Sequence, residues 1–290
     1  MISATLKVKS SIIAMALFFV AGCAQQVKQP PLELDNKLTG TGQIIDLQTG
    51  ESLTPSQLVE KLSQSPRVIV GEKHDNLYHH QIEQWLAQEM AEKRPQGSVL
   101  LEMIKPDQQH KVNEVKAQMQ NDPYIRDEKL QSALKWQQGW PWEQYGELVK
   151  SLLKAPYPLL SANLNSEEIK EAYAHPPVLV GTHSTQPVVQ ELISKTIESS
   201  HGGQITAEQI EKMTVIQQMR DRRMAKSLLE APTPALLYVG GYHATKVIGI
   251  PLHMQDLAPE SDFSVLIISE KANVIDGVHA DYVWYTPTHE

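Results

Sequence analysis

The sequence predicts an α/β fold with a mainly parallel sheet flanked by helices and a smaller helical subdomain. Short apolar runs rich in β-branched residues recur along the chain, and the stretches between them have apolar residues three and four positions apart. This alternation is typical of parallel strands that are joined and covered by helices. Two of the helical stretches are longer than a single crossover needs, which predicts the subdomain.

Seven strands are predicted from the apolar runs. In chain order they are expected at residues 43–47, 67–70, 98–101, 157–161, 235–239, 264–268 and 281–285. Runs of this length with β-branched and aromatic residues suit strands that are covered on both faces.

Five helices are predicted from the periodicity, at residues 77–93, 107–120, 142–153, 184–199 and 207–229. The segments 105–156 and 167–230 are therefore mainly helical, and part of at least one is expected to form the subdomain above the sheet. Within the second segment, residues 178–180 fit either a strand or a loop through the core.

Residues 1–22 have the features of a lipoprotein signal peptide. Lys7 and Lys9 precede an uncharged apolar run at 12–20, which is shorter than the roughly 20 residues of a transmembrane helix. The tripeptide VAG before Cys23 resembles the lipobox, which is cut in front of a cysteine that carries fatty acids such as palmitate.

Cys23 is the only cysteine of the chain, so an internal disulfide is excluded and acylation accounts for the thiol. Residues 23–40 are polar and suit a flexible tether, while residues 41–290 are expected to form the α/β domain with its helical insertions. Ala24 occupies the position where retention signals of the inner membrane usually place Asp. The expected location is therefore the cell envelope, with a lipid anchor in the outer membrane.

The charge balance bears on the partners. The formal net charge is −8, from 26 Lys and Arg against 34 Asp and Glu. Nucleic-acid-binding proteins carry basic patches that meet phosphates, so the sequence argues against nucleic acid as a partner.

Two predicted strands end in the same motif, a glycine followed three residues later by a histidine. The first motif runs from Gly71 to His74 and the second from Gly240 to His243. Ligands of open α/β sheets bind at the carboxyl ends of the strands. The two histidines are therefore expected to face one site.

Carboxylates and an arginine complete the candidate pocket. Glu72 lies within the first motif, and Glu102 follows a strand, where it serves either a functional role or an ion pair or helix cap. Arg220 and Asp221 lie on a predicted helix. Such charges commonly form a solvated face, but Arg can fix a carboxylate or propionate and Asp can orient a histidine or another Arg.

The same residue types suit a divalent metal. His74 and His243 could bind the cation, with Glu72 or Glu102 as a further ligand or as the base that activates water. The corresponding function would be that of a metal-dependent hydrolase.

Several ordered motifs over most of the chain after the signal peptide are shared with a known family. They are Gly71-Glu72-x-His74-Asp75-Asn76, His79-His80, Gln84, Leu101-Glu102-Met103, Trp136, Trp140, Trp142, Tyr145, Ser161-Ala162-Asn163, Gln218-x-Arg220-Asp221-x-x-Met224-Ala225, Gly240-x-x-His243 and Gly249-Ile250-Pro251. In this order they resemble the ChaN-like haem-binding lipoproteins of the wider Tiki and TraB group.

The resemblance implies a protein that holds haem at the cell surface during iron uptake. It also implies haem held between two protomers of a homodimer, a tyrosine axial ligand, histidine or lysine near the propionates, and an outer-membrane haem receptor as partner. A phenolate is an attested haem ligand, and Tyr145 in the aromatic motif is expected in the core. The haem-binding candidates are Tyr78, His79, His80, Tyr124 and Tyr157.

Two functions of different classes follow. The first is a non-enzymatic haem-binding lipoprotein that dimerises around its ligand, and the second is a metal-dependent hydrolase that uses the paired Gly-x-x-His site. The family resemblance favours the first. A third interpretation, a cell-envelope scaffold for a protein partner, has no specific motif behind it.

Overall fold

The computed structural model describes residue 34, residues 42–271 and residues 273–288. Cys23, the signal peptide expected at 1–22 and all of the expected tether except Leu34 lie outside the described residues, so these interpretations stay predictions. In the described part of the chain, no helix combines the length and the apolar character needed to cross a membrane.

The described residues contain eight strands in one sheet. They are β1 Gln43–Asp46, β2 Ser52–Leu53, β3 Arg67–Glu72, β4 Ser98–Leu101, β5 Leu159–Ser161, β6 Ala235–Gly240, β7 Ser264–Glu270 and β8 Tyr282–Thr286. Their order across the sheet is β2-β1-β8-β7-β3-β6-β4-β5. The strands from β8 to β5 run parallel, whereas β1 pairs antiparallel with both β2 and β8. The mainly parallel sheet is thus confirmed.

Helices connect and cover these strands. The described helices are α1 Pro55–Leu62, α2 Leu77–Lys93, α3 Gln109–Asn121, α4 Asp127–Leu134, α5 Trp142–Lys154, α6 Ser166–Ala174, α7 Pro187–Ser200, α8 Ala207–Glu230, α9 Gly241–Ala244 and α10 Ile250–Leu257. Side-chain caps begin three of them: Thr54 accepts from the Gln57 amide, Asn76 from the Tyr78 amide and Thr206 from the Gln209 amide.

One face of the sheet packs against helices α1 to α5. Since side chains alternate along a strand, Val68 and Val70 of β3 belong to this core, which also contains Leu86 of α2 and Leu152 of α5. All four side chains are almost fully buried. Burying one such side chain contributes about 1.5–3 kcal/mol, so this face fixes the positions of the helices around it.

The other face packs against α8 and α10. Ile69 of β3 lies in this second core together with Met224 and Leu228 of α8 and Ile250 and Met254 of α10. Each of these side chains is fully buried. The register of α8 on the sheet is therefore set by its apolar stripe.

A smaller helical layer lies outside both cores. Val189 and Ile193 of α7 form a separate apolar cluster with Ile248. The hydroxyl groups of Ser194 on α7 and Thr214 on α8 lie 3.0 Å apart. Part of the second long helical segment thus packs on α8 instead of on the sheet.

Two predicted boundaries shift for local reasons, and one predicted segment takes a different course. Strand β5 begins at residue 159, because Pro158 has no N–H to donate to the neighbouring strand. Helix α7 begins at Pro187, whose fixed φ suits the first helical position. Residues 178–180 form neither a strand nor a loop through the core: they are a surface loop in which Val178 and Val180 are 92% and 77% exposed.

Candidate functional site

Strands β3, β6 and β4 lie side by side, and their carboxyl ends form one edge of the sheet. In the parallel ladders, Glu72 of β3 pairs with Gly240 of β6, and Leu101 of β4 pairs with Tyr238 of β6. The residues that follow these pairs therefore emerge next to each other. We call this region the carboxyl edge.

The first cluster at the carboxyl edge, the His74 group, consists of Glu72, His74 and Tyr145. His74 Nδ1 forms a short hydrogen bond with Glu72 Oε1. The Tyr145 hydroxyl lies 3.3 Å from the same carboxylate oxygen and 3.1 Å from His74 Nδ1. Glu72 and Tyr145 are buried, whereas the His74 side chain is 42% exposed. Glu72 and Tyr145 therefore hold the Nδ1 side of the His74 ring, whereas the rest of the side chain is open to solvent.

Burial and charge act in opposite directions in this group. Burial raises the pKa of Glu72 above its usual value, which the hydrogen bond from His74 only partly offsets. Burial would lower the pKa of His74, but the hydrogen bond and charge of Glu72, with the charge of Glu102, raise it overall. The hydrogen bond therefore couples the protonation of the two groups.

The second cluster, the His243 group, consists of Glu102, Asp221 and His243. His243 Nδ1 lies 2.5 Å from Asp221 Oδ1, and its Nε2 lies 3.4 Å from Glu102 Oε1. The other oxygen of Glu102 accepts the Gly240 amide at 2.9 Å. All three side chains are buried. Of the alternatives for Glu102, the structure selects an ion pair at the site.

The carboxylates keep His243 charged. Burial lowers the pKa of His243, but the charges and hydrogen bonds of Glu102 and Asp221 outweigh it and raise the pKa to about 10. Burial raises the pKa of Asp221 to about 6 against the pull of His243. For Glu102, burial is outweighed by the charge and hydrogen bond of His243, which lower its pKa to about 2. The group is thus an imidazolium held by at least one carboxylate.

Helix α8 supplies two polar side chains to this group. Gln217 and Asp221 are four residues apart and so lie on one face of the helix. The Gln217 amide nitrogen lies 3.0 Å from His243 Nδ1. Asp221 orients the histidine, as the sequence suggested.

Gly240 separates the two clusters. A Cβ atom on Gly240 would lie 2.8 Å from His74 Nε2 and 3.8 Å from Glu102 Oε2. A side chain at this position would therefore displace the His74 ring. The absence of a Cβ lets the two groups adjoin.

Two cations flank the clusters, and we call them the cationic pair, Lys105 and Arg220. Lys105 Nζ donates to Ser166 Oγ at 2.8 Å, and Arg220 Nη1 contacts Asn163 Oδ1 at 3.4 Å. Within the described residues, neither cation has a carboxylate at ion-pair distance. Burial lowers the pKa of Lys105, and the charge of Arg220 lowers it further. The pair is thus available to an anionic ligand.

His79 and His80 are buried and serve packing. His79 Nδ1 accepts the Lys73 amide at 2.9 Å, and its Nε2 lies 2.9 Å from Thr286 Oγ1. Burial lowers the pKa of His79 to about 3. The His80 ring bridges Glu83 and the His74 carbonyl oxygen. These contacts support a packing role for both rings.

The candidate tyrosines divide by position. Tyr157 is 7% exposed, and burial raises its pKa to about 12. Tyr124 is 89% exposed and lies in the loop between α3 and α4. Tyr78, in the first turn of α2, lies at the carboxyl edge.

The divalent-metal prediction finds no support in the structure. In the described part of the chain, no three His, Cys, Asp or Glu side chains are arranged to hold a metal ion. The physical reason is that the predicted ligands bond to each other: Glu72 contacts His74, and Glu102 contacts His243. Their lone pairs therefore do not converge on one point.

Fold and site together define an α/β protein with two histidine–carboxylate clusters at the carboxyl edge of a mainly parallel sheet. A family model described as "Haem-binding uptake, Tiki superfamily, ChaN" matches residues 58–254. This chain belongs to that family.

Three solved structures are similar to this chain to different degrees. ChaN of Campylobacter jejuni, in a structure described as cofacial haem binding, has a TM-score of 0.78 and 28% identity, covering 85% of this chain and 97% of that chain. The type III effector HopBA1 has a TM-score of 0.45 and 12% identity, covering 80% and 92%. An erythromycin esterase mutant in its open conformation has a TM-score of 0.44 and 13% identity, covering 80% and 78%. No curated protein matches the chain.

Four residues at the site were not singled out from the sequence as site residues. Tyr145 is in the core as expected, but its hydroxyl reaches the His74 group. Gln217 could have been found because it precedes Asp221 by one helical turn. Tyr242, in the second motif, is 63% exposed at the carboxyl edge. Lys105 follows the end of β4 by only four residues, and this spacing could have placed it near the site.

Proposed function

We propose that this protein is a lipid-anchored haem-binding protein that holds haem between two copies of itself and acts in haem or iron uptake. The observation that carries the proposal is membership of the haem-binding ChaN family, with a fold that matches Campylobacter jejuni ChaN over nearly all of that chain. The haem-uptake role, the dimer and the anchor are parts of the proposal.

The carboxyl edge fits such a ligand chemically. Haem offers an iron atom, an apolar ring and two carboxylates. Tyr78 is half-buried against the core and Tyr242 is 63% exposed, so each has a phenol ring accessible at this edge. Lys105 and Arg220 are cations without a carboxylate partner in the described residues, and Arg in particular binds carboxylates through two hydrogen bonds. We assign axial ligation to Tyr78 or Tyr242 and the propionates to the cationic pair.

Adding hemin to the full-length protein in mild detergent tests this proposal. We expect a shifted Soret band of the kind that tyrosinate ligation gives, and a doubling of the protein mass in light scattering. An unchanged hemin spectrum at micromolar protein, together with an unchanged mass, would contradict haem binding. A shifted spectrum without the mass change would refute only the proposal that two copies hold the haem between them.

The axial ligand is tested by four Tyr→Phe variants, which change one hydroxyl each. Tyr78→Phe or Tyr242→Phe should abolish the tyrosinate spectrum. Tyr124→Phe and Tyr157→Phe are matched controls, because Tyr124 lies in the loop between α3 and α4 and Tyr157 is buried. Loss of the spectrum in either control, or retention in a Tyr78→Phe, Tyr242→Phe double variant, would refute the assignment.

The location in the cell belongs to the same proposal. Acylation of Cys23 would hold the domain at the outer membrane, where an outer-membrane haem receptor is the expected partner. Support comes from the sequence around Cys23.

A further inference from the structure

We propose that the carboxyl edge also hydrolyses a small ester that carries a carboxylate, with His74 as general base and no metal or haem required. The inference concerns an activity separate from haem binding. It rests on the geometry of the His74 group and on the unpaired cations near it.

His74 has the arrangement of a histidine prepared to accept a proton. Its Nδ1 is taken by the buried carboxylate of Glu72, so in the neutral ring Nδ1 carries the hydrogen and Nε2 carries the lone pair. In the described residues, Nε2 has no hydrogen-bond partner, and the side chain is 42% exposed. A histidine oriented by a buried carboxylate and open at the other nitrogen is the base half of a catalytic triad. Water takes the place of the nucleophilic side chain.

The surroundings of His74 hold this orientation. The Trp140 ring packs edge-on against the imidazole, with ring centroids 4.8 Å apart. Gly240 lies on the other side and leaves room for Nε2. The base can therefore contact a water molecule without rotating away from Glu72.

The His243 group adjoins the His74 group across Gly240 and carries no net positive charge, because its imidazolium is paired with carboxylates. Both nitrogens of His243 are engaged, Nδ1 by Asp221 and Nε2 by Glu102. It therefore fixes the position of Glu102 beside Gly240 and donates no hydrogen bond to a substrate.

The cationic pair selects the substrate class. Arg220 is joined to the site through Asn163, whose Nδ2 donates to the Glu102 carbonyl oxygen at 3.2 Å. Lys105 lies close enough to Arg220 for their charges to interact. Since neither cation is neutralised by a carboxylate of the described chain, a carboxylate on the acyl part of the substrate fits there.

The reaction is a balanced hydrolysis. The water oxygen forms a bond to the ester carbonyl carbon while His74 Nε2 takes one water proton, and the carbonyl π electrons move to the oxygen. When the oxyanion collapses, the bond from carbon to the leaving oxygen breaks. His74 Nε2 gives its proton to that oxygen, so the products are an alcohol and a carboxylic acid, and the ring returns to its starting form.

The test uses the full-length, haem-free protein in mild detergent with EDTA and para-nitrophenyl hemisuccinate as probe. Wild type should release nitrophenol with saturation kinetics, and His74→Ala should lower kcat by about a hundredfold or more. Added imidazole should restore part of the rate to His74→Ala. His110→Ala, the same change at an exposed histidine on α3, is the matched control and should keep the wild-type rate.

Two further variants separate the roles. Glu72→Gln, at a positioning residue, should lower kcat and leave KM unchanged. Arg220→Ala should raise KM for the hemisuccinate by about tenfold, as expected for loss of a hydrogen bond to a charged group, and should not alter KM for neutral para-nitrophenyl butyrate.

The outcomes are distinguishable from those of haem binding, which is read from the Soret band. No saturable hydrolysis by wild type, or equal rates for wild type and a folded His74→Ala or His74→Gln, overturns the proposal whatever hemin does. Hydrolysis without hemin binding would overturn the haem proposal and leave this one standing.

Discussion

At the scale of single residues, two histidines in the same motif have different environments. The two motifs are offset by one residue in the sheet, because Glu72, not Gly71, pairs with Gly240. His74 therefore stays half-open in the loop after β3, whereas His243 is buried within α9 between Glu102 and Asp221. One can exchange protons with a bound molecule, and the other holds a fixed charge.

The two motif glycines should respond differently to alanine. In Gly71→Ala, the new Cβ would lie 2.6 Å from Ala244 Cβ and 3.1 Å from the backbone of Gly241, so overpacking should cost about 1–3 kcal/mol of unfolding free energy. In Gly240→Ala, the clash is with the side chain of His74 and not with backbone, so stability should change less while the carboxyl edge loses function. Denaturant unfolding measures the stability of both variants, and the hemin and ester assays measure their function. Equal losses of stability would contradict this reading.

The charge on His243 gives a pH prediction. Its folded pKa is about 10 against an ordinary value of 6.5. Because the folded state binds the proton more tightly, the stabilisation is fully present below pH 6.5 and is lost as the pH rises towards 10. Asp221→Asn should lower the His243 pKa and shift this loss to lower pH, as measured by NMR of the ring protons.

Asp276→Asn is the matched control for that experiment. Asp276 is an exposed carboxylate beside His279, so its loss should leave the titration of His243 unchanged. Titration of His243 near 6.5 in wild type would show that the two carboxylates do not hold the charge.

At the scale of elements, α8 connects the second core to the site. Its apolar stripe, with Met224 and Leu228, packs on the sheet, and its polar face one to two turns earlier presents Gln217 and Asp221 to His243. The capping box of Thr206 and Gln209 fixes where the helix begins. The site thus depends on how this one helix sits on the sheet.

Truncating the contact of α8 with the sheet tests this dependence. Leu228 is fully buried, so Leu228→Ala should lower the unfolding free energy by about 2–5 kcal/mol. Leu192→Ala makes the same change on α7, where the side chain is 37% exposed, and should cost much less. Denaturant unfolding measures both, and similar losses would contradict the assigned packing of α8.

At the scale of the whole molecule, the proposed anchor decides where the domain works. Cys23→Ser should abolish labelling by an alkynyl palmitate analogue and move the protein from the membrane fraction to the soluble fraction. The exposed Ser199→Ala is a control that should leave both unchanged. Fractionation of cells that express each variant measures the effect, and membrane retention of Cys23→Ser would refute lipid anchoring.

Much of the fold could be predicted from sequence because it depends on local periodicity. All seven predicted strands and the five long helices occur, with ends displaced by a few residues. The two-residue strand β2 and short helices such as α1 and α9 were not predicted, since so few residues carry no clear period. The surface course of residues 178–180 was also missed, because their apolar character suggests burial.

By itself, the sequence determined the order of the elements, the shared motif at two strand ends and the family to which these motifs belong. Only the tertiary structure decided that β6 lies between β3 and β4. That order brings His243 against Glu102, 141 positions earlier in the printed sequence. Strand order and register depend on how both faces of the sheet are packed, and no local pattern encodes them. The same packing paired the four expected metal ligands with each other, Glu72 with His74 and Glu102 with His243.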